Sequence, residues 1–448
     1  MRSLAFFVEM LVLLPMVTIR PFVGVLVWSW ISFMSPHKLL WGPASDLPWA
    51  MITFLALLIG CIIAREPKKF TWNTTTMLIA TFMICITLTS VTAMAPSDLV
   101  LGKWTPVMKT FFVMLISSFL LTTKERIHAM VWIMVLSLGY FGVKGGGFTM
   151  LNGGAGRVLG PPATMIADNN SLAAALLVAL PLMNYLRMQS EHRIVRLTLA
   201  VSMFLTLFAV VGSWSRGAIV GLLAVSVFLW LKSKRKFLAA IILPILVGSA
   251  IMFMPQDWMD RMQSIGQYQS DGSAEGRLDI WTTAWQMAIH RPLTGAGFMG
   301  PYDEDVVHHF RPMAGPRAVH SIYFEVLGEH GFVTFFVWLG ITVSAVLAAR
   351  RIIKSASGVP ELAWAVDLAR MSQVSVVGYL VAGAFLSLSY WDFYFTLLVV
   401  IAATRQYVRQ ALSEPVPGWR REAERLVRLP PFRGGGAIGV KARAGPAA

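Results

Sequence analysis

Apolar residues gather into thirteen runs, near residues 4–19, 22–35, 47–64, 75–94, 105–122, 127–143, 170–187, 194–212, 217–231, 237–254, 322–349, 371–388 and 391–404. Runs approaching twenty apolar residues are long enough to cross a hydrocarbon core as helices. Their repetition excludes a lone signal peptide. Segments of alternating polarity, the mark of a membrane β-barrel, are absent. The pattern predicts an all-α polytopic membrane protein with about 12 transmembrane helices. The start leaves twelve or thirteen segments open, because the first two runs are short and broken by Pro15 and by Arg20-Pro21.

Composition agrees with this pattern: 56% of residues are hydrophobic and 14% charged, with a mean hydropathy of +0.64. The net charge of +15 raises the question of nucleic acid. Its placement argues against that partner. Much of the excess lies in short clusters beside apolar runs, at Arg65/Lys68/Lys69, Lys124/Arg126, Arg187/Arg193/Arg196, Lys232/Lys234/Arg235/Lys236 and Arg350/Arg351/Lys354. Such juxtamembrane cations mark cytoplasmic loops and imply membrane lipids as neighbours. Fixing them inside places 36–46, 96–104, 144–169, 213–216 and 255–320 outside. The expected divisions are 1–254 (N-terminal membrane helices), 255–320 (a large outer loop), 321–410 (C-terminal membrane helices) and 411–448 (a cytoplasmic tail, partly disordered). Cys61 and Cys85 fall within apolar runs, so no disulfide framework is implied.

Two outer loops invite function. The stretch "KGGGFTMLNGGAGRVLGPP" from Lys144 is glycine-rich and carries Lys144 and Arg157. It lacks the strand–loop–helix context of a nucleotide-binding loop. The 255–320 stretch is too long for a plain connector. Within it Leu278, Trp281, Trp285 and Ile289 recur at helical spacing, predicting an amphipathic helix at the outer surface with its aromatics at headgroup level.

Polar groups at membrane depth need partners or water, so they mark candidate sites. In "VVGSWSRGAIVG", Arg216 stands at the outer end of two apolar runs, with Gly212, Gly217 and Gly221 leaving room beside it. It reads equally as an arginine snorkelling to headgroups or as a planar fork for phosphate oxygens. Arg277 lies on the same side, with Glu275 and Asp279 as potential ion-pair partners. Lys103 and Lys109 flank the outer part of the fifth run, Lys109 a turn and a half inside it. Five of the eight histidines fall between 290 and 330: His290, His308, His309, His320 and His330. His308-His309 with Asp303 and Asp305 have metal-binding chemistry, but no HExxH or comparable helical spacing, so no metal or other cofactor is expected. In "HSIYFEVLGEHGFV", Ser321, Glu325 and Glu329 share a face if helical, and His320 stands where loop meets membrane helix. Helix cap and working site remain equally open on this pattern. Cations and histidines on one outer face suit an enzyme acting on an anionic lipid, or a transporter of an anionic substrate.

The stretch "HSIYFEVLGEHGFVT" resembles the O-antigen ligase group of a bacterial superfamily that includes O-antigen polymerases and protein O-oligosaccharyltransferases. The pattern runs through His320, Ser321, Gly331 and Thr334. "SWSRG" ending at Gly217 and "GRLDIWTTAWQMAIHRPLTGAGF" from Gly276 follow the superfamily's other landmarks in order, over roughly 200–345. One position departs: the group's Arg-x-x-x-Leu element is here Arg216 to Val220. The first 65 residues, with "RPFVGVLVWSW" and "SPHKLLWGPASDLPWA", resemble an O-glycosylation ligase branch whose acceptor is open.

The resemblance implies about twelve helices, a large periplasmic loop carrying short helices, and a multi-pass protein of the bacterial inner membrane with its site facing the periplasm. It implies metal-independent, inverting transfer of a glycan from undecaprenyl pyrophosphate to a sugar hydroxyl of lipid A–core, in lipopolysaccharide biosynthesis. Arg216 and Arg277 would hold the pyrophosphate, His320 would take the acceptor's proton, and Arg157 and Lys109 would make further donor contacts. A protein O-oligosaccharyltransferase or a polymerase remains the alternative within the superfamily. A transporter or flippase of an anionic lipid is the alternative outside it, disfavoured by polarity that collects at one face rather than on broken helices at mid-depth.

Overall fold

The computed structural model describes residues 2–66, 72–233, 235–263 and 272–413. Expectations for the tail from 414 onward, and for Lys68, Lys69 and Lys234, lie outside the described residues. Residues 1–408 form one compact unit and 409–448 a second, of which the described part is the end of the last helix.

Among the described residues the chain is helical and has no strand. The helices are α1 (Arg2–Ile19), α2 (Pro21–Met34), the single turn α3 (Pro43–Asp46), α4 (Trp49–Ile63), α5 (Thr74–Val91), α6 (Ser97–Leu120), α7 (Lys124–Leu151), α8 (Asn169–Gln189), α9 (Arg193–Val211), α10 (Arg216–Lys232), α11 (Lys236–Met252), α12 (Gln256–Gln263), α13 (Gly272–His290), α14 (Glu304–Phe310), α15 (Ile322–Ala356), α16 (Ala363–Gly383) and α17 (Asp392–Ser413). A helix satisfies its own backbone groups, which hydrocarbon cannot do. Each of the thirteen apolar runs is accordingly occupied by a helix. Seven described helices are long and apolar enough to cross a membrane, or eight if α11 and α12, bent by 112°, make one span. The protein is an all-α, multi-pass membrane protein.

The bundle is organised around α8, whose segment from Leu172 to Met183 is buried throughout. Two boundaries differ from the sequence pattern at loops expected to lie outside. Helix α6 begins at Ser97, so Lys103 lies within it rather than in a 96–104 loop. Helix α7 runs on through "KGGG" to Leu151, which shortens the expected 144–169 loop to 152–168. The cause is close packing. A Cβ on Gly146 would lie 2.0 Å from the Leu205 carbonyl oxygen of α9, and one on Gly142 would lie 2.2 Å from Thr206 Oγ1. These glycines let two helix backbones approach, as small residues do in membrane bundles.

The third difference is at the C-terminal end. The apolar run 371–388 overshoots its helix: α16 stops at Gly383, and 384–391 is a non-helical link before α17. Helix α15 is itself broken at Gly331 (φ 71°, ψ −174°). Segment 291–299 packs into the break and satisfies the freed groups, with Phe332 N–H donating to Pro292 O at 2.8 Å and Gly297 N–H to Glu329 O at 2.8 Å. A Cβ at Gly331 would stand 2.5 Å from that Pro292 oxygen, so glycine is required on two counts.

Candidate active site

The turn between α9 and α10 sets the first arginine. Ser215 caps α10, its hydroxyl accepting from Ala218 N–H at 3.2 Å. Arg216 is therefore the first helical residue, beside amides that a helix start leaves unpaired. Its Nε donates to the Arg261 carbonyl at 3.2 Å, and Arg261 Nε donates to the Trp214 carbonyl at 3.2 Å. This reciprocal pair staples α12 to the turn. Trp258 Nε1 adds a bond to Val211 O at 3.0 Å. On the other side Asp168 caps α8, and Asn169 Nδ2 donates to Ser213 O at 2.7 Å.

These elements surround a cavity of about 190 Å³ lined by Asn170, Ser215, Arg216, Gly217, Arg261, Arg277, Phe385 and Leu386, among others. Among the described residues that line it, three are arginines and none is acidic. Arg216 comes from α10, Arg261 from α12 and Arg277 from α13. Asp279, a potential partner for Arg277 by sequence, is paired with Arg311 at 2.6 Å.

Helix α13 forms where the aromatic spacing predicts one, but its orientation is not simply the expected stripe. Ile280, Ala284, Met287 and Ala288 are buried, while Leu278, Trp285 and Ile289 are exposed. Trp281 points inward. It stacks on Phe324 with centroids 5.3 Å apart, and its Nε1 donates to Val319 O at 2.8 Å.

His320 follows directly, in the left-handed region (φ 50°) that non-glycine residues seldom occupy. Its N–H donates to Ser387 Oγ at 2.9 Å, two residues beyond the Phe385 that lines the cavity. The residue is exposed overall. Partial shielding of the ring from water lowers its pKa below the usual imidazole value, and the Arg277 charge lowers it further, against smaller opposing effects of Asp168 and Glu325. His320 is thus biased towards the neutral form that accepts a proton.

The structure therefore brings Arg216 and Arg277 together, with His320 beside them. Arg157 is exposed on the 152–168 loop, and Lys109 lies within α6; neither is among the residues lining the cavity. His308 and His309 are exposed on α14. Sequence reasoning missed Arg261, which stands in the short polar stretch "QDWMDRMQ", and the whole 384–391 link.

Glu325 and Glu329 share a buried face as their spacing predicts, but they face the bundle rather than the cavity. Lys103 Nζ reaches both, at 3.2 and 2.7 Å. Ser389 Oγ donates to Glu325 at 2.5 Å and Tyr390 OH to Glu329 at 2.7 Å. His330 Nδ1 pairs with Thr89 Oγ1 at 2.6 Å. Among the described residues no three His, Cys, Asp or Glu side chains come together in a metal-binding group.

Residues 1–192 match a family of unknown function (DUF5935). No curated protein matches the chain. Residues 201–339 match the O-antigen ligase family, over a span that contains Arg216, Arg261, Arg277, His320 and Gly331. The segment that builds most of the cavity belongs to the O-antigen ligase superfamily.

Proposed function

We propose that the protein is an O-antigen ligase of the bacterial inner membrane, transferring a glycan from undecaprenyl pyrophosphate to a sugar hydroxyl of lipid A–core at the periplasmic face. The observation that carries this reading is the convergence of Arg216, Arg261 and Arg277 on one cavity with His320 beside it. Guanidinium forks suit pyrophosphate oxygens, and they stabilise the charge that grows there as the anomeric C–O bond breaks. The acceptor oxygen attacks the anomeric carbon from the opposite side, inverting it. Its proton passes to neutral His320, and undecaprenyl pyrophosphate departs with the bonding pair. No nucleotide is consumed, because the donor linkage is already activated. Arg157 and Lys109 remain candidates for contacts to the outer part of the donor.

The apolar cleft between α10 and α11, about 460 Å³, supports a lipid-linked donor. Its lining residues Leu223, Val227 and Trp230 follow Arg216 by seven, eleven and fourteen positions, one face of a helix with about 3.6 residues per turn. A polyisoprenyl chain running down that face would leave its pyrophosphate at Arg216.

The broken α15 with its buried charges, and the sharp bend between α11 and α12, favour a transporter or flippase. Reconstitution with lipid-linked glycan and lipid A–core separates the readings. The ligase reading expects glycosylated lipid A–core, with transfer cut on the order of 10²–10⁴-fold in His320→Ala. Full transfer by His320→Ala removes its assigned role. Glycosylation of protein alone, or joining of two lipid-linked glycans, points to the oligosaccharyltransferase or polymerase alternative. Movement of donor between leaflets without a new glycosidic bond establishes the transporter.

A further inference from the structure

Both polar atoms of the Val319–His320 peptide are held by side chains from elsewhere in the fold. The Val319 carbonyl accepts from Trp281 Nε1 at 2.8 Å, and the His320 N–H donates to Ser387 Oγ at 2.9 Å. This peptide leads into the left-handed conformation of His320, a strained state for a non-glycine residue that persists only where neighbours over-determine it. We propose that Trp281 and Ser387 are positioning residues that clamp this peptide and so aim the His320 ring at the cavity; the proposal takes from the reading above that His320 is the proton acceptor.

Each jaw of the clamp is itself fixed. Trp281 is stacked on Phe324 and leans on Phe385 with centroids 6.4 Å apart, so the same indole contacts the cavity wall. Ser387 lies in the non-helical link, where its hydroxyl is free of any helix carbonyl. Its Oγ accepts from the His320 N–H.

The test uses the full chain in lipid nanodiscs and two readouts. The first is carbethoxylation of His320 by diethyl pyrocarbonate, followed by peptide mass spectrometry across pH. The second is transfer from undecaprenyl-pyrophosphate-linked glycan to lipid A–core. Trp281→Phe keeps the ring stack and loses only the Nε1–H; Ser387→Ala loses the hydroxyl; Ser387→Thr keeps it. In Trp281→Phe and Ser387→Ala the His320 labelling midpoint is expected to rise towards that of an ordinary imidazole. Their kcat should fall on the order of 10–100-fold with donor KM little changed, as misplacement of a reacting group does. Ser387→Thr should recover most of both.

Wild-type labelling profiles in both variants overturn the clamp. A shifted profile with unchanged kcat overturns the positioning role. If wild type makes no glycosidic bond at all, the ligase reading falls, and the labelling still decides whether the peptide is clamped. Should Ser387→Ala not fold, Trp281→Phe tests the same peptide from its other atom.

Discussion

Two charged clusters lie close together along α15 and the 384–391 link, and they are built on opposite principles. Around Lys103, a lysine, two carboxylates, a serine and a tyrosine satisfy one another within hydrogen-bond distance, in a region where Glu325 and Glu329 are almost fully buried. Around Arg216, three arginines from three different helices line a space of about 190 Å³. The first closes on itself and the second closes around a void. Buried charge alone therefore does not single out a candidate site; charge arranged around room for a ligand does.

Substitutions should separate the two. Arg216→Ala is expected to lower glycan transfer on the order of 10²–10³-fold, the scale for loss of one donor to a developing anion, with a smaller loss of stability than Lys103→Met gives. Lys103→Met should do the reverse. It strands two buried carboxylates, and a loss of about 3–5 kcal/mol in stability is expected on thermal or denaturant unfolding. Ser389→Ala removes one hydrogen bond to a buried carboxylate and should cost about 1.5–3 kcal/mol in the same measurement. An Arg216→Ala protein that unfolds as early as Lys103→Met, or a Lys103→Met protein of wild-type stability, would erase the distinction.

The smallest effect lies in pH dependence. Because shielding and Arg277 lower the His320 pKa, the neutral base persists below the usual imidazole value. The acid limb of the transfer profile should therefore lie below pH 6.5. Arg277→Gln removes one lowering influence, so the limb of its residual activity should move upward. A limb that stays in place would show that His320 does not set it.

Much of this architecture was legible in the sequence, because hydrocarbon-length apolar runs leave a chain few options besides helices. The arginine at a helix start, a second arginine beyond it and a histidine at the mouth of α15 were legible as types in a pattern. Less legible was whatever depends on tertiary packing. "KGGG" looks like a loop until the α9 backbone lies against it. "LSLSYW" reads as the end of a membrane helix, although it is the link that holds His320 and both glutamates. Arg261 carries no local signal, since its role comes from an exchange of backbone hydrogen bonds with the Arg216 turn. The Glu325 and Glu329 spacing gave the shared face correctly and said nothing of the lysine it would meet.

The glycine face of α7 bears on how the molecule can be altered. Leu205, Thr206 and Ala209 of α9 lie against Gly146, Gly142 and Gly145, so the chain before residue 152 is keyed to the helix that leads into the Arg216 turn. The fit is set by backbone distance, and a foreign N-terminal portion carrying alanine at these three positions would meet the same helix without seating on it. Exchange of that portion between relatives would have to carry the seam with it, or move the arginine that the seam supports.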